Sequence, residues 1–155
     1  MNKFLKIIGG IAVIYLILFS CIKLFSNKIE SELNSPSPGM DNINLKMKIE
    51  DDAKNMNTVL PKLIDTRTEL INVEYIFNID KFVYNYKIID ILKEEINTEE
   101  ITNLTSTLKK HQLETLKNNP NNSDYIKART NFEYNYKDKN NVLILSFNIL
   151  SNENK

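Results

Sequence analysis

The chain has 155 residues, with 20 basic and 20 acidic side chains and no net charge. The two signs are interleaved, which excludes the basic stripe that a nucleic-acid partner requires. One cysteine and one histidine supply neither a disulfide framework nor a metal-ligand set, so no cofactor and no metal are expected.

The first element in chain order is apolar. Ile7 to Ile22 carries no charge and is bracketed by Lys6 and Lys23. Ten of its sixteen positions are Ile, Leu, Val or Phe, which together favour insertion into a bilayer by roughly 3–6 kcal/mol. A helix of that length rises about 24 Å, short of the ~30 Å hydrocarbon core. Snorkelling by the two lysines adds Phe4, Leu5, Leu24 and Phe25 to the span. Residues 1–25 therefore read as a single-pass membrane anchor, with Ile7–Ile22 as the segment in lipid. A cleaved signal peptide competes with this reading, but no small-x-small cleavage site stands near Ser20 or Ser26. A third reading rests on Leu18-Phe19-Ser20-Cys21, which resembles the lipobox of bacterial lipoproteins and implies lipidation of Cys21. The bulky Phe19 departs from that pattern.

An excess of Asn, Ile and Lys with no Trp is the bias of a low-GC bacterial genome, which strips abundant Asn of functional meaning. Lysines are balanced on the two sides of the anchor, and a long C-terminal domain translocates largely regardless of its charge. The expected location is a bacterial cytoplasmic membrane with the C-terminal domain outside the cytoplasm; a lipoprotein is the alternative.

Residues 26–42 read as a linker, because Ser35-Pro36-Ser37-Pro38-Gly39 has no periodicity and its prolines favour an extended spacer. Residues 43–155 are enough for one small domain. A helix is predicted over about Ile43–Leu60, where Ile49, Ala53, Met56 and Leu60 share a face and Pro61 ends the run. Lys62–Arg67 is a connection. From Thr68 the period falls to two, with Ile71, Val73, Tyr75 and Phe77 on one side. Turn residues at Asn78–Lys81 lead into Phe82, Tyr84, Tyr86 and Ile88, giving a hairpin.

Asn97 with Glu100, or equally Thr98, caps a helix whose stripe is Ile101, Leu104, Leu108 and Leu116. Asn118–Asn122 ends it, and Ser123–Arg129 is a short helical turn. A second hairpin follows, with Phe132, Tyr134 and Tyr136 inward, a turn at Asp138–Asn141, and Leu143, Leu145, Phe147 and Ile149 inward. The fold expected is α+β: a two-helix, four-stranded antiparallel sheet domain in α-β-β-α-β-β order, behind the transmembrane helix. Phe82–Lys87 and Phe132–Lys137 agree at five of six positions, which fits a duplication or two strands facing one core.

The run Asn57-x-x-Leu60-Pro61-x-x-x-Asp65-x-x-Thr68-x-Leu70, followed by Tyr84-x-Tyr86 and Tyr134-x-Tyr136, resembles a widespread group of small bacterial proteins. These carry a signal or anchor before a domain of this size. The resemblance spans residues 52–150 and implies the fold without an activity. Glu69 stands where that pattern has Arg, so a role for that arginine carries over only through Arg67.

Asp65, Arg67, Thr68 and Glu69 are the densest polar cluster at a structural joint. Two carboxylates and an arginine suit peptide binding or an acid/base pair; the simpler account is a turn held by side chain to backbone hydrogen bonds. His111 has no partner at metal-ligand spacing and reads as a solvated surface residue. Val83 and Ile89 interrupt a polar strand face, marking a docking patch or the shadow of Ser123–Arg129. There is no Gly-x-Ser-x-Gly, phosphate loop or Cys/His pair. The function expected is a non-enzymatic protein-interaction module in envelope assembly, secretion or toxin immunity, docking a protein partner on a free sheet edge. The alternative is a small ligand-binding or hydrolytic domain using Asp65 and Glu69.

Overall fold

A computed structural model describes residues 38–153, so the expected anchor Ile7–Ile22 and Cys21 lie outside the described residues. Among the described residues no helix is long and apolar enough to cross a membrane. The elements are α1 (Pro38–Asn57), β1 (Lys62–Leu63), β2 (Thr68–Ile76), β3 (Lys81–Ile88), α2 (Thr98–Asn118), α3 (Ser123–Lys127), β4 (Asn131–Lys137) and β5 (Leu143–Ile149). The α+β class is as expected.

The sheet differs from the expected one in two ways. It has five strands in the order β1-β2-β3-β4-β5, and β3 pairs with β4 in parallel. Each tight turn makes an antiparallel pair, β2 with β3 and β4 with β5. The chain between β3 and β4 is long enough to carry α2 back along the sheet, so β4 starts at the same end as β3. The extra strand, β1, is too short to show a period; it pairs Lys62 with Leu70 and Leu63 with Glu69.

Parallel pairing gives the repeated hexapeptide a structural meaning. Phe82 stands beside Phe132, Tyr84 beside Tyr134, Asn85 beside Asn135, Tyr86 beside Tyr136 and Lys87 beside Lys137. On the covered face the tyrosine rings stack at 5.1 Å (Tyr84 and Tyr134) and 4.8 Å (Tyr86 and Tyr136). Phe147 of β5 continues the stack at 5.1 Å from Tyr134. Such pairs add about 0.5–1.5 kcal/mol each beyond their burial.

The three helices of the described residues lie over that face. Ile49 and Ala53 of α1, and Leu104, Leu108 and Leu116 of α2, join one core with Phe82, Tyr86, Phe132 and Tyr134. Tyr125 of α3 meets Phe82 at 5.6 Å and Phe132 at 5.9 Å. Among the described residues no helix lies on the opposite face, which presents Glu74, Asn85, Lys87, Glu133, Asn135 and Asn148.

Several local expectations shift by a residue or a turn. α1 starts at Pro38, inside the stretch read as linker, because proline's fixed φ suits the first helical position. It stops at Asn57, ahead of Leu60, where the Asn57 side chain turns to the sheet: its Nδ2 donates to Val73 O at 2.7 Å and its Oδ1 accepts from Val73 N at 3.0 Å. A register shift between Leu70 and Asn72 puts Ile71 out of phase, so Leu70 takes the core place expected for Ile71. A second shift after Tyr136 leaves Leu143 exposed and Ile144 buried. His111 is half-buried on α2, not solvated as expected. Of the two candidate caps of α2 the structure uses Asn97: its Oδ1 accepts from Glu100 N at 2.9 Å, and Glu100 Oε2 accepts from Asn97 N at 3.1 Å.

The two ends of the sheet differ. Lys46, near the middle of α1, pairs with Asp80 at 2.7 Å and sits over Phe77, both in the β2–β3 turn, and from there α1 runs on to Asn57 beside Val73. The chain therefore enters at that end, the entry pole. The far pole gathers the β1–β2 turn, the Ile89–Glu95 segment and the Asp138–Val142 loop.

Candidate partner-docking surface at the far pole

The four residues of the predicted polar cluster all lie at the far pole, and three are committed to holding it together. Asp65 is buried; its Oδ1 accepts from Arg67 N at 2.7 Å and from Thr68 N at 2.8 Å, shaping the β1–β2 turn. Thr68 O accepts from Ile64 N at 2.9 Å. Arg67 Nε donates to Asp90 Oδ2 at 2.6 Å, while Arg67 O accepts from Ile89 N. Glu69 pairs in register with Lys87 on the open face. Asp65 and Glu69 belong to different environments, one an interior turn and the other an exposed-side strand position.

A residue that the pattern gave only as a turn former proves central. Asp138 is fully buried; its Oδ1 accepts from Asn140 N and Val142 N, each at 2.8 Å, and its Oδ2 from Lys93 N at 3.1 Å. Burial opposes its ionisation, yet the three backbone amides outweigh that and hold its carboxyl below the usual range. One side chain thus ties the β4–β5 loop to the segment after β3. Below it, burial pushes the Tyr136 hydroxyl up, opposed by a hydrogen bond with Gln112 and reinforced by the Asp65 charge. Gln112 itself is buried, and no sequence signal distinguished it from a solvated helix residue.

What this rigid end presents is a row across the open face. Leu63, Glu69, Lys87, Lys137 and Leu143 are register neighbours from β1 to β5. Leu63 is 52% exposed and Leu143 44%, with Val142 and Ile89 exposed nearby. Lys87 and Lys137 stand side by side, and among the described residues neither forms an ion pair. Like charges in adjacent register positions repel. Further down the same face Lys81 Nζ meets Glu133 Oε2 at 2.9 Å; that lysine, and then Asn135, hold the Glu133 carboxyl below its usual range.

Of the two apolar candidates on this face, Ile89 is 41% exposed and Val83 only 6%. Val83 sits on an inner strand between Glu74 and Glu133, outside the main core cluster. α3 lies over the other face, so Ser123–Arg129 covers neither of them. Lys87 and Lys137 were not singled out in the sequence; the repeated hexapeptide, each copy ending in Lys, was the signal that pointed to them.

No family model and no curated protein matches the chain, so its motifs carry no family assignment. Its fold does match solved structures. One is a protein from Pseudomonas aeruginosa described as secreted, at TM-score 0.58 and 10% identity, covering 78% of this chain and 100% of that one. Two others are pilotins of type II secretion systems. The pilotin EpsS of Vibrio vulnificus aligns at TM-score 0.56 and 9% identity over 76% of this chain and 97% of its own. AspS of Vibrio cholerae aligns at TM-score 0.52 and 9% identity over 74% and 96%. At these identities the likeness is one of fold.

Proposed function

We propose that this chain is a non-enzymatic protein-interaction module of the bacterial envelope, held at the outer face of the cytoplasmic membrane by Ile7–Ile22, and that it serves a secretion or assembly apparatus. The observation that carries this reading is the shared fold: two pilotins superpose over nearly their whole length. Both belong to secretion machinery by their description, and the third match is described as secreted. The role of the domain is then contact with another protein. Its far pole supports that role, since a rigid frame of buried aspartates presents exposed apolar side chains and unpaired lysines together.

The acid/base alternative gains nothing from the geometry. Asp65 spends one carboxylate oxygen on two backbone amides, and Glu69 lies in register with Leu63 on one side and Lys87 on the other. The deciding experiment is fractionation of cells making the full-length chain, followed by carbonate extraction and protease accessibility of the intact cells. Retention in membranes with the domain open to external protease is expected. A chain recovered in the cytosol overturns the reading.

A further inference from the structure

The two outer edges of the sheet are treated differently. The edge of β2 is closed by β1 at Glu69 and Leu70 and by the Asn57 carboxamide at Val73, and the strand carries Glu69 and Glu74. Among the described residues β5 is the last strand at the other edge and pairs on one side only, with β4. From Val142 to Leu150 it has no charged residue and no proline. Natural sheets guard such edges with lysine, proline, bulges or cover, and among the described residues the only such device is the bulge at the β5 start. The exposed residues at its ends are apolar, with Val142 and Leu143 at the far pole and Leu150 at the entry pole.

We propose that the outer edge of β5 is a strand-docking site for an extended, apolar segment of a partner protein that carries an acidic residue near Leu143. This rests on the membrane-tethered reading above. Three observations choose the occupant. A strand added to β5 lies about 5 Å from it and about 10 Å from β4. A carboxylate opposite Leu143 is then within side-chain reach of Lys137, which has Lys87 beside it and no acid of its own. The chain enters from the entry-pole side, since α1 passes Asp80 at Lys46 and runs from there toward the far pole to Asn57 beside Val73. The far end of the edge therefore points away from the lipid, which disfavours a bilayer as occupant. A second copy is disfavoured by symmetry: a two-fold pairing of β5 with itself is antiparallel. It would set the entry pole of one copy beside the far pole of the other, while both tethers lead to one membrane.

The test uses the full-length chain in its own membranes, with a photocrosslinking residue at Leu143 or, as a control, at Ile79, which is exposed at the entry pole. A light-dependent adduct from position 143 with one other protein is expected, joined within a segment bearing Asp or Glu, and none from position 79. A synthetic peptide copying that segment should bind the wild-type domain. Lys137→Glu should weaken it about tenfold, with recovery when the peptide's acid is changed to Lys. A thermal melt of Lys137→Glu no lower than wild type shows that the loss is not unfolding. Adducts with a second copy of this chain or with lipid, equal adducts from position 79, or no adduct overturn the edge site. Carbonate extraction of the same membranes reads the tether separately: a chain that is retained without adduct at 143 refutes the edge alone. A released chain still crosslinked there supports the edge and refutes the anchor.

Discussion

β3 and β4 carry nearly the same six residues, yet their two faces use that likeness in opposite ways. On the covered face, identical neighbours help: Tyr84 stacks on Tyr134 and Tyr86 on Tyr136, and the rings fill one layer beneath the helices. On the open face the outcome varies down the strand. Asn135 Nδ2 donates to Asn85 Oδ1 at 3.3 Å, whereas Lys87 and Lys137 repel. A side-chain identity therefore has no fixed value across a parallel pair. Burial rewards matched aromatic shape, and solvent leaves matched charge uncompensated.

The comparison is broken most severely from the covered side. Tyr134→Ala empties a fully buried site in the ring stack and should lower stability by about 3–5 kcal/mol, read as the urea midpoint. Asn135→Ala, the next residue on the open face, should cost well under a third of that. If the two prove equal, the open face is buried by something in solution.

Asp138, the first residue beyond β4 and two after Tyr136, is buried like it and is an acid. Its carboxyl is held below the ordinary value, so the stability it contributes is complete above the unfolded value of about 3.9 and is lost as pH falls through the lower folded one. Wild type should therefore melt progressively earlier below about pH 4. Asp138→Asn replaces the acceptor of Lys93 N or those of Asn140 and Val142 with a donor. Its melting temperature at pH 7 should fall by on the order of 10 °C, and the acid-side slope should flatten. A variant as stable as wild type at pH 7 would show that the amides are satisfied without this side chain.

Between the two faces lies the β2 edge. Asn57→Ala removes both hydrogen bonds to Val73 and should cost about 1–2 kcal/mol, with faster hydrogen exchange at the Val73 amide as the local readout. The smallest effect should be a gain. Lys137→Glu turns the repulsion from Lys87 into attraction and should stabilise by about 0.2–1 kcal/mol at low salt, fading as ionic strength rises. No change instead would mean that the lysine ammonium groups are already separated by solvent.

Short-range signals were the legible part of this fold. Asn97 and Glu100 announced α2 because a capping box is written in four consecutive residues. The alternation of Phe132, Tyr134 and Tyr136 announced the inward face of β4 because the pleat has a period of two. What was not legible depended on partners distant in the chain. The parallel union of β3 and β4 is decided by the path of α2, which alternation does not encode. The exchange of Ile71 for Leu70 comes from a bulge, and a bulge shifts phase without altering composition. At the candidate site, Asp65 was recognisable as a turn former because its amide donors are Arg67 and Thr68. Asp138 was only half recognisable, since one of its donors is Lys93, from a loop on another strand.

The course of α1 has a mechanical consequence. From Lys46 beside Asp80 to Asn57 beside Val73 the helix runs antiparallel to β2, the strand it covers. A tension applied to residues preceding Pro38, and resisted at the opposite end, would slide this helix lengthwise over β2. Peeling it away contact by contact would need a sideways force. The Lys46 ion pair, the packing of Ile49 and Ala53 and the Asn57 bracket would then share the strain at once, the geometry in which a small domain withstands traction best.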